Sequence, residues 1–315
     1  MQTIYYGAPG TGKSHTIDSD IVSGVSDDRV FRVTFYPDFS YSDFIGQLLP
    51  KVIPPTTAGG TSTITYDFQK GVFTNALEKA YENTSKDVYL IIEEMSRGDC
   101  AAIFGDIFQL LDRESTGVNA GYSKYFITNE IISKDIIQLS SNGNKVKLPP
   151  NFHILGTVNT SDQNVYVMDT AFKRRFEWEY VSPDPVVDSP VGAAPIVYKN
   201  DVQLNINKGS VVVSISWVEL YQKLNDFIAD DKYLGLGEDK QLGPFFIEFD
   251  MAATSAKHKM QIKNKLLNYL WSDVHKASYK TDVRLFKDDL GTFKKLYEAF
   301  ERDEQIFSVD FLNTL

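Results

Sequence analysis

The first stretch that could do chemistry lies near the start of the chain. Its nine consecutive residues are Gly7, Ala8, Pro9, Gly10, Thr11, Gly12, Lys13, Ser14 and His15. Residues 7–14 fit the pattern G-x-x-x-x-G-K-[ST], a P-loop whose backbone N–H groups surround phosphates and whose glycines let the backbone come close to an anion. Lys13 would reach the β- and γ-phosphates, and the Ser14 hydroxyl would hold Mg²⁺. The stretch predicts a nucleoside-triphosphate site.

A second candidate site follows the apolar run 88–92, where two carboxylates occur in succession, Glu93 and Glu94. A continuous apolar run predicts a strand buried on both faces of a parallel sheet, and open α/β sheets bind ligands at the carboxyl ends of such strands. Glu93 would hold Mg²⁺, directly or through water, and Glu94 would orient or deprotonate the attacking water. An acidic strand end without chemistry is the alternative, and the P-loop makes it the weaker one.

The run 152–158 predicts another buried strand, and this one ends on Asn159. A polar side chain at that strand tip can hydrogen-bond the attacking water or the γ-phosphate, so Asn159 is a candidate catalytic residue. Asp162 follows shortly afterwards and could organise the loop or a neighbouring subunit. Asn and Asp are also common in turns, which is the alternative for both residues.

Lys173, Arg174 and Arg175 follow a short helix predicted over 165–172. Arginine donors aimed at a transferring phosphoryl group neutralise the charge of the transition state. A solvated helix end favoured by the helix dipole is the alternative. Because the three other motifs accompany these cations, we expect Arg174 and Arg175 to act as arginine fingers.

Strands alternate with helices over residues 1–182, which predicts an α/β nucleotide-binding part with a parallel sheet. Within it, residues 112–150 predict a β-hairpin-like insertion whose lysines could meet DNA, although a solvated face is the expected role. Residues 183–213 are rich in proline and predict an irregular linker. Amphipathic patterns over 214–315 predict a mostly helical lid.

The chain has 315 residues, 43% hydrophobic and 23% charged, which is typical of soluble globular proteins of two domains. Its net charge of −10 excludes general binding to nucleic acid, so DNA contact requires a local patch, a pore of several subunits or another domain. No apolar run is long enough for a membrane span, and a single cysteine, Cys100, favours the reducing cytoplasm. The scattered histidines predict no zinc site. With only six residues ahead of Gly7, we expect a minimal module or a fragment.

The four motifs together resemble those of AAA+ NTPases, and the particular residues within them resemble those of the McrB family. McrB proteins are the motor subunits of modification-dependent, type IV restriction systems. The resemblance covers nearly the whole chain and is carried by residues 6–14, 35–37, 41–44, 91–98, 158–164, 169–176, 241–246 and 267–271.

The resemblance implies a hexameric ring, GTP as the fuel with Mg²⁺, and a McrC-type partner that carries the nuclease. Asn159 would position the water, Asp162 would link the site to the partner, and Arg174 and Arg175 would act on the neighbouring subunit's nucleotide. Glu93 departs from the usual Asp. The family's N-terminal domain that reads modified DNA is absent, so DNA would be reached through the complete assembly. The choice between GTP and ATP stays open, because a P-loop contacts the phosphates and does not distinguish the bases. The alternative function is that of an ATP-driven, protein-remodelling module of the MoxR or dynein-related type.

Overall fold

The computed structural model describes residues 1–55, 61–161, 166–190, 192 and 194–315. The chain divides into two compact units. The first contains residues 1–6, 14–158 and the described part of 162–179, and the second contains 7–13, 159–161 and 180–315. Residues 7–13 of the P-loop therefore group with the C-terminal residues, although the chain on both sides belongs to the first unit.

The strands and helices alternate along the first unit, and helices predominate in the second. The strands are β1 (Gln2–Gly7), β2 (Val30–Thr34), β3 (Gly46–Ile53), β4 (Thr63–Lys70), β5 (Val88–Glu93), β6 (Ile127–Thr128), β7 (Lys145–Val146), β8 (Phe152–Asn159), β9 (Glu177–Tyr180), β10 (Gln203–Lys208) and β11 (Val211–Ser216). The α-helices are α1 (Lys13–Thr16), α2 (Tyr41–Ile45), α3 (Val72–Glu82), α4 (Cys100–Phe104), α5 (Glu130–Asp135), α6 (Ile137–Ser140), α7 (Thr170–Lys173), α8 (Trp217–Ala229), α9 (Ser255–Gln261), α10 (Leu267–Tyr269), α11 (Phe293–Glu301) and α12 (Val309–Leu312).

The central sheet of the first unit has five strands in the order β2-β5-β8-β1-β9. Strand β5 pairs in parallel with β2 on one side and with β8 on the other. Every residue of β5 before Glu93 is buried, because apolar side chains meet protein on both faces of the sheet. The predicted α/β class with a parallel-sheet core is confirmed, and the carboxyl ends of β5 and β8 lie side by side.

Local side-chain caps set the first residues of several helices in this unit. Ser40 and Asp43 form a reciprocal capping box at the start of α2. The Asp99 carboxylate accepts a hydrogen bond from the backbone N–H of Ala102 at 3.1 Å and begins α4. Asp169 caps α7 in the same way, so this helix begins at Thr170 and is shorter than the predicted 165–172. Val165 lies outside the described residues.

Strands β3 and β4 form an antiparallel hairpin that the sequence analysis missed. The proline, threonine and glycine content of residues 53–62 predicts a surface loop, but Ile53 pairs with Thr63 in this hairpin, and residues 56–60 lie outside the described residues. The pairs Leu48 with Phe68, Pro50 with Tyr66 and Val52 with Ile64 share one face of this ribbon. The signal was weak because a proline interrupts β3.

The insertion at residues 112–150 is anchored by the buried guanidinium of Arg113. It donates to the Gln2 side chain at 2.7 Å and to the backbone carbonyls of Gly121, Leu148, Pro149 and Phe152. Burial lowers the pKa of Arg113 to about 10. Antiparallel pairing joins β6 to β7, over two residues of each strand, with α5 and α6 between them.

The second unit packs around a core that includes Trp217, Leu224 and Leu270. Its helix α8 is capped by the Ser216 hydroxyl, which accepts from the Glu219 backbone at 3.1 Å. Strand β10 falls inside the stretch 183–213 that the sequence predicted to be irregular, and it pairs with β11. In the described parts of the chain, no helix has the length and apolar character needed to cross a membrane.

Candidate nucleotide site

The P-loop has the backbone shape that its glycines predict. Gly10 and Gly12 adopt φ values of +78° and +92°, which only glycine adopts without strain. The Lys13 ammonium is buried and donates to the carbonyls of Gly7 at 3.1 Å and Ala8 at 2.9 Å. The Thr11 hydroxyl also donates to Ala8, at 3.1 Å. The carbonyls of the loop therefore surround the ammonium group of Lys13, which is also the first residue of α1.

A hydrogen-bonded group joins Ser14, the last residue of the P-loop, to the end of β5. The Ser14 hydroxyl donates to Oε2 of Glu93 at 2.9 Å, and the Thr157 hydroxyl donates to the same oxygen at 2.5 Å. Both predicted metal ligands are thus brought together. In the described residues, no group of three or more His, Cys, Asp or Glu side chains is arranged to hold a metal ion. One carboxylate with hydroxyl groups nevertheless fits Mg²⁺, which usually takes one or two carboxylates, substrate phosphates and water.

Arg32 on β2 also contacts this carboxylate, and the sequence analysis missed it. Its guanidinium forms an ion pair with Oε1 of Glu93 and a second ion pair with Asp18. Arg32 is the one charged residue of β2, which lies beside β5, so a charge inside an apolar strand was the available signal. Any cation that binds Glu93 would have to share it with Arg32.

Glu94 adopts a left-handed backbone conformation, with φ of +54°. A non-glycine residue in this region carries backbone strain, which often accompanies functional sites. Its N–H donates to the Thr157 hydroxyl at 3.2 Å, and its Oε2 lies 3.3 Å from Nε of Arg97. Because of this backbone turn, the two consecutive carboxylates have different neighbours, Ser14 and Thr157 for Glu93 and Arg97 for Glu94, and can take different roles.

Of the two site residues predicted at and beyond the end of β8, Asn159 lies within the described residues and Asp162 does not. Asn159 is the last residue of β8 and is half-buried. Its neighbour Thr160 donates a backbone hydrogen bond to the Gly7 carbonyl at 3.2 Å, which holds this strand end against the start of the P-loop. Asp162 lies outside the described residues.

Arg174 and Arg175 have opposite environments. The Arg175 side chain is 9% exposed, and its guanidinium donates to Asp112 at 2.7 Å and to the Ala171 carbonyl at 2.6 Å. It also lies 4.1 Å from the centroid of the Phe108 ring. Arg174 is exposed, and its side chain has no hydrogen bond or ion pair with the described residues. Of the two arginines, only Arg174 projects its charge outward.

Cys100 and His153 are reactive residue types that lie apart from the hydrogen-bonded group at Glu93. Cys100 is buried, and burial raises the pKa of its thiol to about 12, so the thiolate is not accessible at neutral pH. His153 lies in β8 with its Nε2 2.9 Å from Asp87, and burial lowers its pKa.

The fold and this group of residues define a P-loop NTPase, and comparison with known proteins identifies the family. Residues 2–176, more than half of the chain, match the family described as AAA domain (dynein-related subfamily). The chain belongs to this family.

Two relatives narrow the likeness further. A Bacillus subtilis (strain 168) protein described as type II restriction enzyme BsuMI component YdiS is 36% identical over 334 residues, covering 98% of this chain and 88% of that protein. The Escherichia coli (strain K12) protein described as type IV methyl-directed restriction enzyme EcoKMcrB subunit is 26% identical over 190 residues. That match covers 59% of this chain and only 36% of the E. coli protein. The chain is a McrB-like AAA+ NTPase related to components of restriction systems, as the sequence motifs predicted.

Proposed function

We propose that this chain hydrolyses a nucleoside triphosphate, GTP in preference to ATP, with Mg²⁺, as the ring-forming motor of a DNA restriction system. The observation that carries the hydrolytic part is the convergence of Ser14 and Thr157 on Glu93, beside the strained Glu94. The preference for GTP rests on the likeness to McrB alone. The restriction role is supported by the descriptions of both relatives.

The residues divide the work of phosphoryl transfer, which is mostly positioning and electrostatics. Lys13 exchanges the Gly7 and Ala8 carbonyls for phosphate oxygens. Ser14 and Glu93 hold Mg²⁺, which would neutralise phosphate charge when bound. Glu94 orients the attacking water and accepts its proton, and Asn159 positions the same water.

Arg174 supplies positive charge to the nucleotide of a neighbouring subunit. Its exposure supports this role, because an arginine that acts on another subunit must project away from its own. The contacts of Arg175 with Asp112 and Phe108 favour a structural role for that residue, so the pair predicted from sequence narrows to Arg174. A shared site requires an oligomer, and we propose the hexameric ring of the McrB-like proteins. Asp162 would link the site to the partner protein.

The partner is a McrC-like nuclease subunit, and DNA is engaged by the assembled complex. The net charge of −10 supports this division, since an acidic chain makes a poor nucleic-acid binder on its own. The assembly would work in the cytoplasm of a bacterium or archaeon.

The substitution Glu94→Gln tests the hydrolytic assignment. We expect the variant to bind Mg²⁺–nucleotide with unchanged affinity and to lose turnover by about 10²–10⁴, the usual contribution of a general base. Glu130→Gln, a matched change at an exposed glutamate of α5, should keep full turnover. Unchanged turnover of Glu94→Gln would overturn the role of this carboxylate.

A second candidate is ATP-driven remodelling of proteins, as in MoxR-type and dynein-related modules. The family description, dynein-related, favours it. Turnover measured with GTP and with ATP, each with and without a McrC-like nuclease subunit, separates the two functions. Stimulation of GTP turnover by the nuclease supports restriction, whereas ATP turnover indifferent to the nuclease supports remodelling.

A further inference from the structure

A loop of the second unit, residues 241–246, lies against the outer side of the P-loop. The backbone N–H of Gly243 donates to the Pro9 carbonyl at 2.9 Å, and that of Phe245 donates to the Gly10 carbonyl at 2.9 Å. We call residues 241–246 the buttress loop. These two hydrogen bonds hold consecutive P-loop carbonyls, so the contact acts on the backbone of the phosphate-binding loop.

The two loops approach so closely that glycine is needed on both sides. A Cβ on Gly243 would lie 2.2 Å from the carbonyl carbon of Gly10 and 2.2 Å from the nitrogen of Thr11. A Cβ on Gly10 would lie 2.3 Å from the nitrogen of Phe246. All three distances end on backbone atoms, which cannot move aside as the tip of a flexible side chain can. A methyl group at either position would therefore separate the loops.

The buttress loop is itself fixed by buried side chains of the second unit. The Asn225 amide accepts from the Leu242 N–H at 2.7 Å and donates to the Leu242 carbonyl at 2.8 Å. The Pro244 carbonyl accepts from Nε1 of Trp217 at 2.9 Å and from the Asn200 amide at 2.7 Å. Backbone atoms on both sides of Gly243 are thus held in place, so the loop presents its N–H groups from a rigid support.

The consequence for phosphate binding follows from the geometry of the peptide bond. In a planar trans peptide, C=O and N–H point in opposite directions. Fixing the Pro9 and Gly10 carbonyls toward the buttress loop therefore turns the N–H groups of Gly10 and Thr11 toward the other side. In a P-loop, that side is the phosphate cradle.

We propose that the buttress loop pre-orients the N–H groups of Gly10 and Thr11 for the phosphates, with Gly243 and Phe245 as positioning residues. This inference rests on the proposed nucleotide-binding function and adds a residue-specific connection between the helical unit and the phosphates. Movement of residues 241–246 would change the affinity for phosphate without any contact between these residues and the ligand.

The test uses the full chain and two probes, the Mg²⁺–nucleoside triphosphate and Mg²⁺–tripolyphosphate, which carries phosphates without a base. Calorimetric titration of Gly243→Ala should show Kd values raised at least tenfold for both probes. Each misdirected donor to a charged oxygen corresponds to about tenfold or more. Gly291→Ala is the matched control, since a Cβ there meets nothing within 4 Å, and it should bind both probes as the wild type does.

Two further variants separate the backbone donor from the aromatic ring. Phe245→Pro removes the N–H that donates a hydrogen bond to the Gly10 carbonyl. It should therefore lower the affinity for tripolyphosphate as Gly243→Ala does. Phe245→Ala keeps this N–H and should lower the affinity for tripolyphosphate much less. These variants also carry the test if Gly243→Ala fails to fold, which its melting temperature reports.

The outcomes distinguish this inference from the proposed function. Wild-type chain that binds neither probe contradicts both. Wild-type binding with unaltered tripolyphosphate affinity in folded Gly243→Ala and Phe245→Pro overturns only the buttress role. Equal losses in Phe245→Ala and Phe245→Pro assign the effect to the ring and also overturn it.

Discussion

Replacement of Arg175 and Arg174 one at a time should separate stability from turnover, although the two residues are adjacent in sequence. Arg175→Met removes the charge but keeps most of the aliphatic length. It leaves Asp112 without the guanidinium that lies 2.7 Å away and the Ala171 carbonyl without its donor at 2.6 Å. Arg174→Met removes a side chain that is exposed to solvent.

The size of the stability loss can be bounded from the exposures of the ion pair. Breaking a fully buried pair costs about 3–5 kcal/mol, whereas an exposed pair is worth about 0–1 kcal/mol. The side chain of Arg175 is 9% exposed and that of Asp112 is 32% exposed, so water reaches the carboxylate left behind. We therefore expect a loss of about 2–3 kcal/mol, or a melting temperature lower by about 4–12 °C. Arg174→Met should change stability by less than about 0.5 kcal/mol.

Turnover should show the reverse order. An arginine that neutralises the phosphoryl group in the transition state contributes about 10³–10⁵ in rate, so Arg174→Met should be nearly inactive at full nucleotide occupancy. Urea unfolding measures the first effect and steady-state hydrolysis below the melting temperature measures the second. Wild-type stability of Arg175→Met, or wild-type turnover of Arg174→Met, would refute the assignment.

Mixing two inactive variants tests whether Arg174 acts between subunits. Arg174→Met subunits retain Glu94, and Glu94→Gln subunits retain Arg174. A shared site therefore predicts that mixed oligomers regain part of the turnover that each variant lacks alone. Mixed oligomers that form but stay inactive would show that Arg174 serves its own subunit.

Two further predictions concern charge at other positions. Arg32→Gln should lower the Mg²⁺ concentration for half-maximal turnover, because Arg32 forms an ion pair with Glu93; a raised requirement in a titration of rate against Mg²⁺ would contradict this competition. Burial, and to a smaller extent the charge of Arg284, lowers the pKa of His275 in the folded chain. The unfolded chain, in which a His pKa is about 6.5, therefore binds this proton more readily than the folded chain does. This contribution to stability is complete above about pH 6.5 and is lost as pH falls toward the folded pKa. Urea unfolding between pH 7 and 5 should show a smaller loss for His275→Phe than for wild type.

The local elements of the fold were predictable because their signals lie within a few residues. The apolar runs 88–92 and 152–158 identified β5 and β8. The hairpin of β3 and β4 was not predicted, because Pro50 interrupts the strand pattern of β3, and neither strand alone shows the cross-strand pairs that stabilise the hairpin. The helix at α7 was predicted too long, since periodicity alone does not reveal that the Asp169 cap begins it.

The sequence alone determined the chemistry that this chain can perform, because a P-loop, two carboxylates after a buried strand and an arginine pair are each encoded locally. Only the tertiary structure decided how these groups are used. It brought Ser14, Thr157 and Arg32 to Glu93, turned Arg175 inward and left Arg174 outside. The physical reason is that a side chain's partners depend on which strands become neighbours. Spacing along the chain does not contain that information.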